Sequence, residues 1–272
     1  MSTLESLEES PEAVLVKPNW KRAQKIKKWE PDDFELEMTT VWSFPQRGDW
    51  ATHDAKWRGN WSPYIPRNII LRFSKEGDLI LDQFAGGGTT LVEAKLLNRN
   101  IIGTDVNDIA LERCREKVDF DHEGADGTVT IKKADARDLN FIGDSSIDLI
   151  CTHPPYANII HYSEGQDIGE DLSNLDVTNF LEEMKKVASE CFRVLKKGKF
   201  CAVLMGDTRK KGHIIPMSFE AMKIFEASGF KTKEIIIKEQ HNCRATGYWK
   251  TNSIKYNFFL IAHEYLFIFR KP

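Results

Sequence analysis

The order of segments in this 272-residue chain predicts an α/β fold, Rossmann-like, with a mostly parallel seven-stranded sheet and an antiparallel hairpin at one edge. Three observations carry that expectation. From about residue 66, short apolar runs alternate with longer segments of helical period, the pattern of a parallel sheet covered by helices on both faces. The clearest helical segment, VTNFLEEMKKVASECFRVLKKG (177–198), spaces its apolar residues at i, i+3, i+4 and i+7. The last two apolar runs are joined by a polar stretch read as a loop, so they pair antiparallel.

In chain order, residues 1–35 read as a flexible or helical extension. Residues 36–66, rich in Trp, Pro and Gly, read as an irregular wrapping segment. PRNIILRFS (66–74) has helical spacing, with Pro66 suited to a first turn. DLILDQF (78–84), NIIGTDV (100–106), TVTIKKAD (128–135), SIDLICT (146–152) and KFCAVLMGD (199–207) read as five strands. Between them lie helices at 89–98, 108–120 and 177–198, the last stopped by Gly198. MSFEAMKIFEASG (217–229) is a further helix, and FKTKEIIIKEQ (230–240) and FFLIAHEYLFIFRKP (258–272) are the final strands. The domain expectation is an N-terminal arm, 1–65, rich in Trp, Lys and Arg, and a main domain, 66–272.

Composition excludes several classes. Hydrophobic content of 41% and charged content of 29% are those of an ordinary globular chain. No apolar run reaches the ~18 residues of a membrane span, and the acidic N-terminus lacks a signal-peptide core. Five cysteines without CxxC or zinc spacing suit a reduced, cytoplasmic protein. A net charge of −3 argues against a nonspecific nucleic-acid coat, but charge is uneven. KPNWKRAQKIKKW (17–29) holds six cations and no anion, and six of seven tryptophans precede residue 62, interleaved with Arg47, Lys56, Arg58 and Arg67. That interleaving suits base stacking and phosphate contact. It equally suits an arm packed on the main domain.

Chemistry concentrates at two turns. In LDQFAGGGTTLVEA, three glycines separate a strand from a helix, letting the backbone take positive φ and approach a ligand at a helix N-terminus. Asp105, seventeen residues after Gly88, ends the next strand, where an acid accepts from ribose hydroxyls. There is no GK[ST], so no phosphate-binding P-loop is present. Asp82 would repel a pyrophosphate and favour a cation. A nucleoside with a positively charged tail, such as S-adenosylmethionine, fits. The candidate cofactor residues are Asp82, Phe84, Ala85, Gly86, Gly88, Thr89, Thr90, Asp105, Val106, Asp135 and Ala136. Asp135 lies on the same rim, facing an adenine amino group; its neighbour Asp138 is the alternative. No metal is called for.

The second turn is CTHPPYANIIHYS (151–163). Two prolines cannot continue a central strand, so His153-Pro154-Pro155-Tyr156 sits at a strand tip on the rim where open sheets bind ligands. With DQFAGGGTT, HPPY resembles the motif pair of the DNA amino-methyltransferases, a resemblance covering most of residues 62–272, including RVLKKGKF and HEYLFIFRK. It implies a Rossmann-like methyltransferase fold, S-adenosylmethionine as cofactor, and methylation of cytosine N4 or adenine N6 in double-stranded DNA of a prokaryotic cell. It also implies base flipping and a cognate restriction endonuclease as partner. His153 and the Pro154 carbonyl would accept the two amine protons, Pro155 would hold the turn rigid, and Tyr156 would stack on the base. His153 departs from the family's Asp, Ser or Asn. A neutral imidazole accepts a hydrogen bond and a protonated one does not, so activity is expected to fall as pH drops through the ordinary histidine range, above pH 5.5.

Target contacts are expected from DTRKKGH (207–213), with Arg209, Lys210 and Lys211, and from HNCRATGYWKTNSIKYN (241–257), with Arg244, Tyr248, Trp249 and Lys250. SEGQDIGEDLSNLD (163–176) reads as an acidic lid or solvent loop. Two rival readings stand: an RNA N-methyltransferase, and a non-catalytic methyltransferase-like subunit that binds nucleic acid. The whole reading requires that the tips of the two turns meet.

Overall fold

Side chains alternating between the two faces of fully buried strands divide the core into two layers about the sheet. The computed structural model describes residues 14–15, 26–57, 59–156, 171–210, 212–242 and 244–272. Eleven strands are assigned among them: β1 (Val14–Leu15), β2 (Val41–Trp42), β3 (Leu79–Asp82), β4 (Asn100–Asp105), β5 (Val129–Lys133) and β6 (Ile147–Thr152), then β7 (Leu195–Met205), β8 (Thr208–Lys210), β9 (His213–Ile215), β10 (Lys231–Glu239) and β11 (His263–Arg270). The helices are α1 (Tyr64–Phe73), α2 (Thr89–Leu96), α3 (Asp108–Val118), α4 (Val177–Val194), α5 (Met217–Ala227) and α6 (Arg244–Lys255). Successive strand side chains point to opposite faces. Thus Ile150, Val203, Met205, Phe267 and Phe269 join α4 and α5 in one core, while Leu149, Cys151, Ala202, Leu204, Leu266 and Ile268 join α1 to α3 in the other.

The sheet order is β1-β5-β4-β3-β6-β7-β11-β10-β2. From β5 through β7 all neighbours are parallel, and β11 runs antiparallel to both β7 and β10. The seven expected strands form the body, and the two-residue strands β1 and β2 extend its edges. The chain passes from β3 outward to β4 and β5, then returns to β6 on β3's other side. The loops after β3 and β6 therefore open side by side, at the switch in strand order where such folds bind ligands.

Two local expectations are corrected. The stretch between β10 and β11 contains α6, so the final pair is antiparallel without being a simple hairpin; residues 244–255 contain no proline, and Asn257 takes φ 54° just beyond the helix. Helix α4 ends at Val194, not Gly198. Asp176 caps its start, accepting from Thr178 and Asn179 N–H at 2.9 and 3.1 Å. Gly198, at φ 80°, instead serves the irregularity that offsets β7 from β6.

The segment before α1 is held to the core by a buried carboxylate. Glu93 of α2 has 0% exposure. Its Oε1 accepts from Trp50 Nε1 at 2.6 Å and His53 Nε2 at 2.7 Å, and its Oε2 from Arg67 Nη1 at 3.1 Å; Arg67 also pairs with Glu30. Of the two uses left open for the N-terminal tryptophans, Trp42, Trp50 and Trp61 are buried in the α1–α3 core. Trp29 stacks on His122, ring centroids 4.1 Å apart. Arg47 is turned inward, donating to the carbonyls of Asn60 and Trp61 at 2.7 and 2.6 Å. Arg58 and the basic residues 17–25 lie outside the described residues.

Removing Glu93 leaves the Trp50 N–H and Arg67 Nη1 buried without their acceptor, while Arg67 keeps its pair with Glu30. Glu93→Ala is expected to lower unfolding free energy by about 3–5 kcal/mol, the usual cost of orphaning one partner of a buried ion pair. A urea titration followed by tryptophan fluorescence measures it, and a loss below about 1 kcal/mol would show that water replaces the carboxylate.

Candidate active site

The turns after β3 and β6 share one cleft. Asp82 ends β3 and Thr152 ends β6, and the Thr152 hydroxyl donates to Asp82 Oδ1 at 2.7 Å. That bond ties the two tips together between adjacent parallel strands. Of the candidates named from sequence, Asp82, Phe84, Ala85, Gly86, Asp105, Val106, Asp135, Ala136, His153 and Pro155 line the cleft. Gly88 caps α2 in the left-handed region, φ 79°, and Thr89 and Thr90 are buried in its first turn; all three lie behind the cleft wall.

The glycine turn serves packing as well as any ligand. A Cβ on Gly87 would come within 2.4 Å of the Asn60 side chain and 2.7 Å of Trp57 Cβ. The approach that requires glycine there is made by the chain's own segment 57–60. Trp57, Asn60 and Trp61 thereby wall the cleft, a role sequence periodicity could not expose because the segment has no period.

The cleft is acidic. Asp82, Asp105, Asp135 and Asp171 line it, and among the described residues no lysine or arginine does. Burial raises the Asp82 pKa to about 6, although the Thr152 hydroxyl and the Phe84 N–H stabilise its charge. Burial likewise raises Asp105 to about 6, assisted by the negative charges of Asp82 and Asp171 and opposed by the N–H groups of Gly86 and Asn107, each 2.9 Å from its carboxylate. Asp135 faces the cleft while holding Arg137, whose Nη2 donates to Oδ2 at 2.5 Å. Asp138 is exposed and accepts from Asn140 in its turn. Asp171 was missed. Its Oδ1 accepts the Ser173 N–H at 2.8 Å, while Oδ2 is buried with no hydrogen-bond partner among the described residues. An Asp two residues before Ser in GEDLSN is a capping signal, but nothing local turns its second oxygen inward. The expected lid residues 163–170 lie outside the described residues.

His153 is half-buried, its ring stacked on Trp61 with centroids 5.5 Å apart. Burial lowers its pKa to about 4 against the pull of Glu264, which corrects the expected pH response: the imidazole stays neutral well below pH 5.5. Tyr156 does not present its face to the cleft. It is 8% exposed, packs over Gly206, where a Cβ would meet its ring at 2.9 Å, and takes part in a polar chain. His153 Nε2 lies 2.8 Å from Tyr156 Oη, which donates to Glu264 Oε1 at 2.8 Å, and Lys238 Nζ donates to Glu264 Oε2 at 2.8 Å. The expected stacking face of Tyr156 is therefore not among the residues that line the cleft. Glu264 and Lys238 were also missed, though a Glu in the apolar run HEYLFIF, directly opposite Lys238 across β10–β11, was a legible signal.

The nucleic-acid candidates sit on the same rim. β8–β9 follows the carboxyl end of β7, and α6 follows that of β10, which β11 makes parallel to β7. Arg209 is drawn toward the α6–β11 loop, donating to the Phe259 carbonyl at 3.1 Å with its guanidinium 5.2 Å from the Phe258 ring. Lys210 and Lys250 are exposed and Trp249 is 45% exposed. Lys211 and the side chains of Arg244 and Tyr248 lie outside the described residues.

In the free protein Asp82 and Asp105 take up protons below about pH 6. A cationic ligand favours their ionised forms, so binding must expel those protons. Affinity for S-adenosylmethionine is expected to weaken as pH falls from 7 to 5, by up to about tenfold per unit for each carboxylate that must be charged. Calorimetry across this range measures it, and a constant Kd would show that neither acid meets the ligand as an anion.

Comparison with known proteins follows the same lines. The N6/N4-methyltransferase family model, described as DNA methylase, matches residues 8–116 and 147–272. A tRNA (guanine(10)-N2)-dimethyltransferase of Methanothermobacter thermautotrophicus is 38% identical over 99 residues, 36% of this chain and 28% of that protein. Type II methyltransferase M2.DpnII of Streptococcus pneumoniae is 37% identical over 91 residues, 32% of each. These matches span about a third or less of the relatives' own length. A crystal structure of a SAM-dependent methyltransferase from Methanosarcina mazei superposes with a TM-score of 0.52 at 17% identity, covering 75% of this chain and 96% of that one, so the fold is shared. With the family model matched on both sides of the switch point, by the segments that carry the glycine turn and the His-Pro-Pro-Tyr turn, the chain belongs to the N6/N4-methyltransferase family of DNA methylases.

Proposed function

We propose that this chain transfers a methyl group from S-adenosylmethionine to the exocyclic amine of cytosine (N4) or adenine (N6) within a specific DNA sequence, as in a restriction-modification pair. One observation carries the reading: an acidic nucleoside-sized cleft and a neutral histidine-proline turn open into each other at the switch point. The residues fit the cofactor. Asp82, Asp105, Asp135 and Asp171 would hold it, and the Asp171 oxygen that has no hydrogen-bond partner among the described residues would be satisfied by an ammonium or hydroxyl donor. When bound, S-adenosylmethionine supplies an electrophilic methyl on a sulfonium centre.

The protein's part is positioning. An exocyclic amine is a poor nucleophile while its lone pair is spread into the ring. Two acceptors, a ring nitrogen of His153 and the Pro154 carbonyl, draw its two N–H bonds out of the base plane and localise the pair. Pro155 fixes the turn, and Trp57, only partly buried in the cleft wall, offers a face to a flipped base. Around the rim, Arg209, Lys210, Trp249 and Lys250 provide phosphate and stacking contacts, with Lys211, Arg244 and Tyr248 as further candidates. The N-terminal segment acts as cleft wall rather than as a separate nucleic-acid arm.

A second reading keeps the chemistry and changes the polymer, since a relative named as a tRNA methyltransferase aligns as well as the type II DNA enzymes do. Methyl transfer to duplex DNA and to tRNA, compared side by side with labelled cofactor, separates the two. Duplex DNA is the expected acceptor, with modification-sensitive sequencing of host DNA giving base and site. Transfer to tRNA alone overturns the DNA reading, and cofactor binding without transfer to either points to a non-catalytic subunit.

His153→Ala is expected to lower kcat by about 10²-fold, the scale of one preorganised polar group, with cofactor affinity little changed. At saturating cofactor, wild-type kcat is expected to hold level from pH 8 to about 5.5 and fall toward pH 4, following the depressed pKa. A kcat already halved near pH 6.5 would show that the acceptor is a solvated histidine or another group.

A further inference from the structure

Which nitrogen of His153 carries its proton decides whether it can accept a hydrogen bond in the cleft, and the polar chain beneath it runs in only one direction. Lys238 is an ammonium and can only donate. Glu264, buried beside it, is held below the ordinary carboxylate range: burial alone would raise it, but the Lys238 charge and the hydrogen bonds from Lys238 and Tyr156 outweigh that. It can only accept. The single Tyr156 proton is therefore spent on Glu264 Oε1, 2.8 Å away, which leaves the phenol oxygen as acceptor toward His153 Nε2, also at 2.8 Å. Among the described residues, the other groups near the ring do not compete for that nitrogen. Trp61 meets its face, and Arg47 spends its terminal nitrogens on backbone carbonyls.

We infer that Glu264 and Lys238, acting through Tyr156, fix His153 as the Nε2–H tautomer, so that Nδ1 keeps its lone pair for a substrate amine. The inference rests on the reading of His153 as the amine's acceptor. Glu264, Lys238 and Tyr156 are positioning residues: they set which face of the imidazole is basic without touching the reacting atoms. The device also explains how histidine can stand where the family uses Asp, Ser or Asn. A carboxylate is an acceptor in any orientation, whereas an imidazole is one only with its tautomer specified.

The test reads the tautomer directly. Long-range nitrogen–proton NMR of the intact protein, with His153 assigned from its absence in His153→Gln, is expected to report Nε2 protonated and Nδ1 bare. Wild-type protein protonated on Nδ1 overturns the inference without any variant. In Glu264→Gln, Lys238 still demands an acceptor, so the amide carbonyl turns to Lys238 and its NH₂ to Tyr156. Tyr156 then donates to Nε2 and the proton moves to Nδ1. The tautomer is expected to switch and kcat to fall about 10²-fold, with cofactor Kd within about twofold. The double variant Lys238→Met/Glu264→Gln frees the amide to present its carbonyl to Tyr156, so the Nε2–H tautomer and most of kcat are expected to return. A purely structural pair would make the double variant at least as impaired as the single, and that result, or an unchanged tautomer in Glu264→Gln, sinks the inference. Failure of the functional reading is distinct: a bare Nδ1 in a protein that methylates no nucleic acid leaves the relay standing and removes its purpose.

Discussion

A carboxylate withdrawn from water must find donors, and Glu93 shows how far that demand reaches. It sits on the helix directly behind the glycine turn and recruits an indole, an imidazole and a guanidinium from residues 50, 53 and 67. An uncompensated charge in that position would cost more than most single contacts stabilise, so the segment before α1 has little freedom to dock elsewhere. Once docked, it delivers Trp57, Asn60 and Trp61 to the cleft. A structural ion pair on one face of a helix thereby sets the wall of a site on the next loop.

The same burial acts with opposite sign on the two sides of the cleft. It raises Asp82 and Asp105 toward neutrality and keeps His153 from charging, because low dielectric disfavours whichever form carries charge. The acids are thereby held ready for a cation that restores their ionised state. The imidazole is held as an uncharged acceptor. Carboxyl groups and imidazole in one cleft are thus both drawn toward their uncharged forms.

Family membership and local chemistry bear on different questions. The matched segments include both turns and omit residues 117–146, the stretch that carries β5 and Asp135. His153, which departs from the Asp, Ser or Asn of the motif it resembles, rests on a polar chain: Tyr156, Glu264 and Lys238 come from three separate elements. If His153 acts as the proposed acceptor, its orientation matters in a way a carboxylate's does not, and the buried charge pair at the β10–β11 register supplies that orientation.

Period and punctuation were enough to place the seven main strands, the helices between them and both functional turns. Apolar alternation and Gly/Pro breaks are local properties of the chain, and the acids at strand ends are marked by position alone. What failed locally failed for non-local reasons. Helix α6 was read as loop because its polar sequence lacks an apolar stripe, and Gly198 was read as a helix stop although its positive φ serves a strand irregularity. The packing of Asn60 on Gly87, the inward oxygen of Asp171, and the descent of Tyr156 beneath the cleft depend on residues tens to more than a hundred positions apart. Sequence could say which groups are able to donate or accept; only the tertiary structure decided which of them are buried together, and burial sets both the charge each group carries and the direction its hydrogen bonds run.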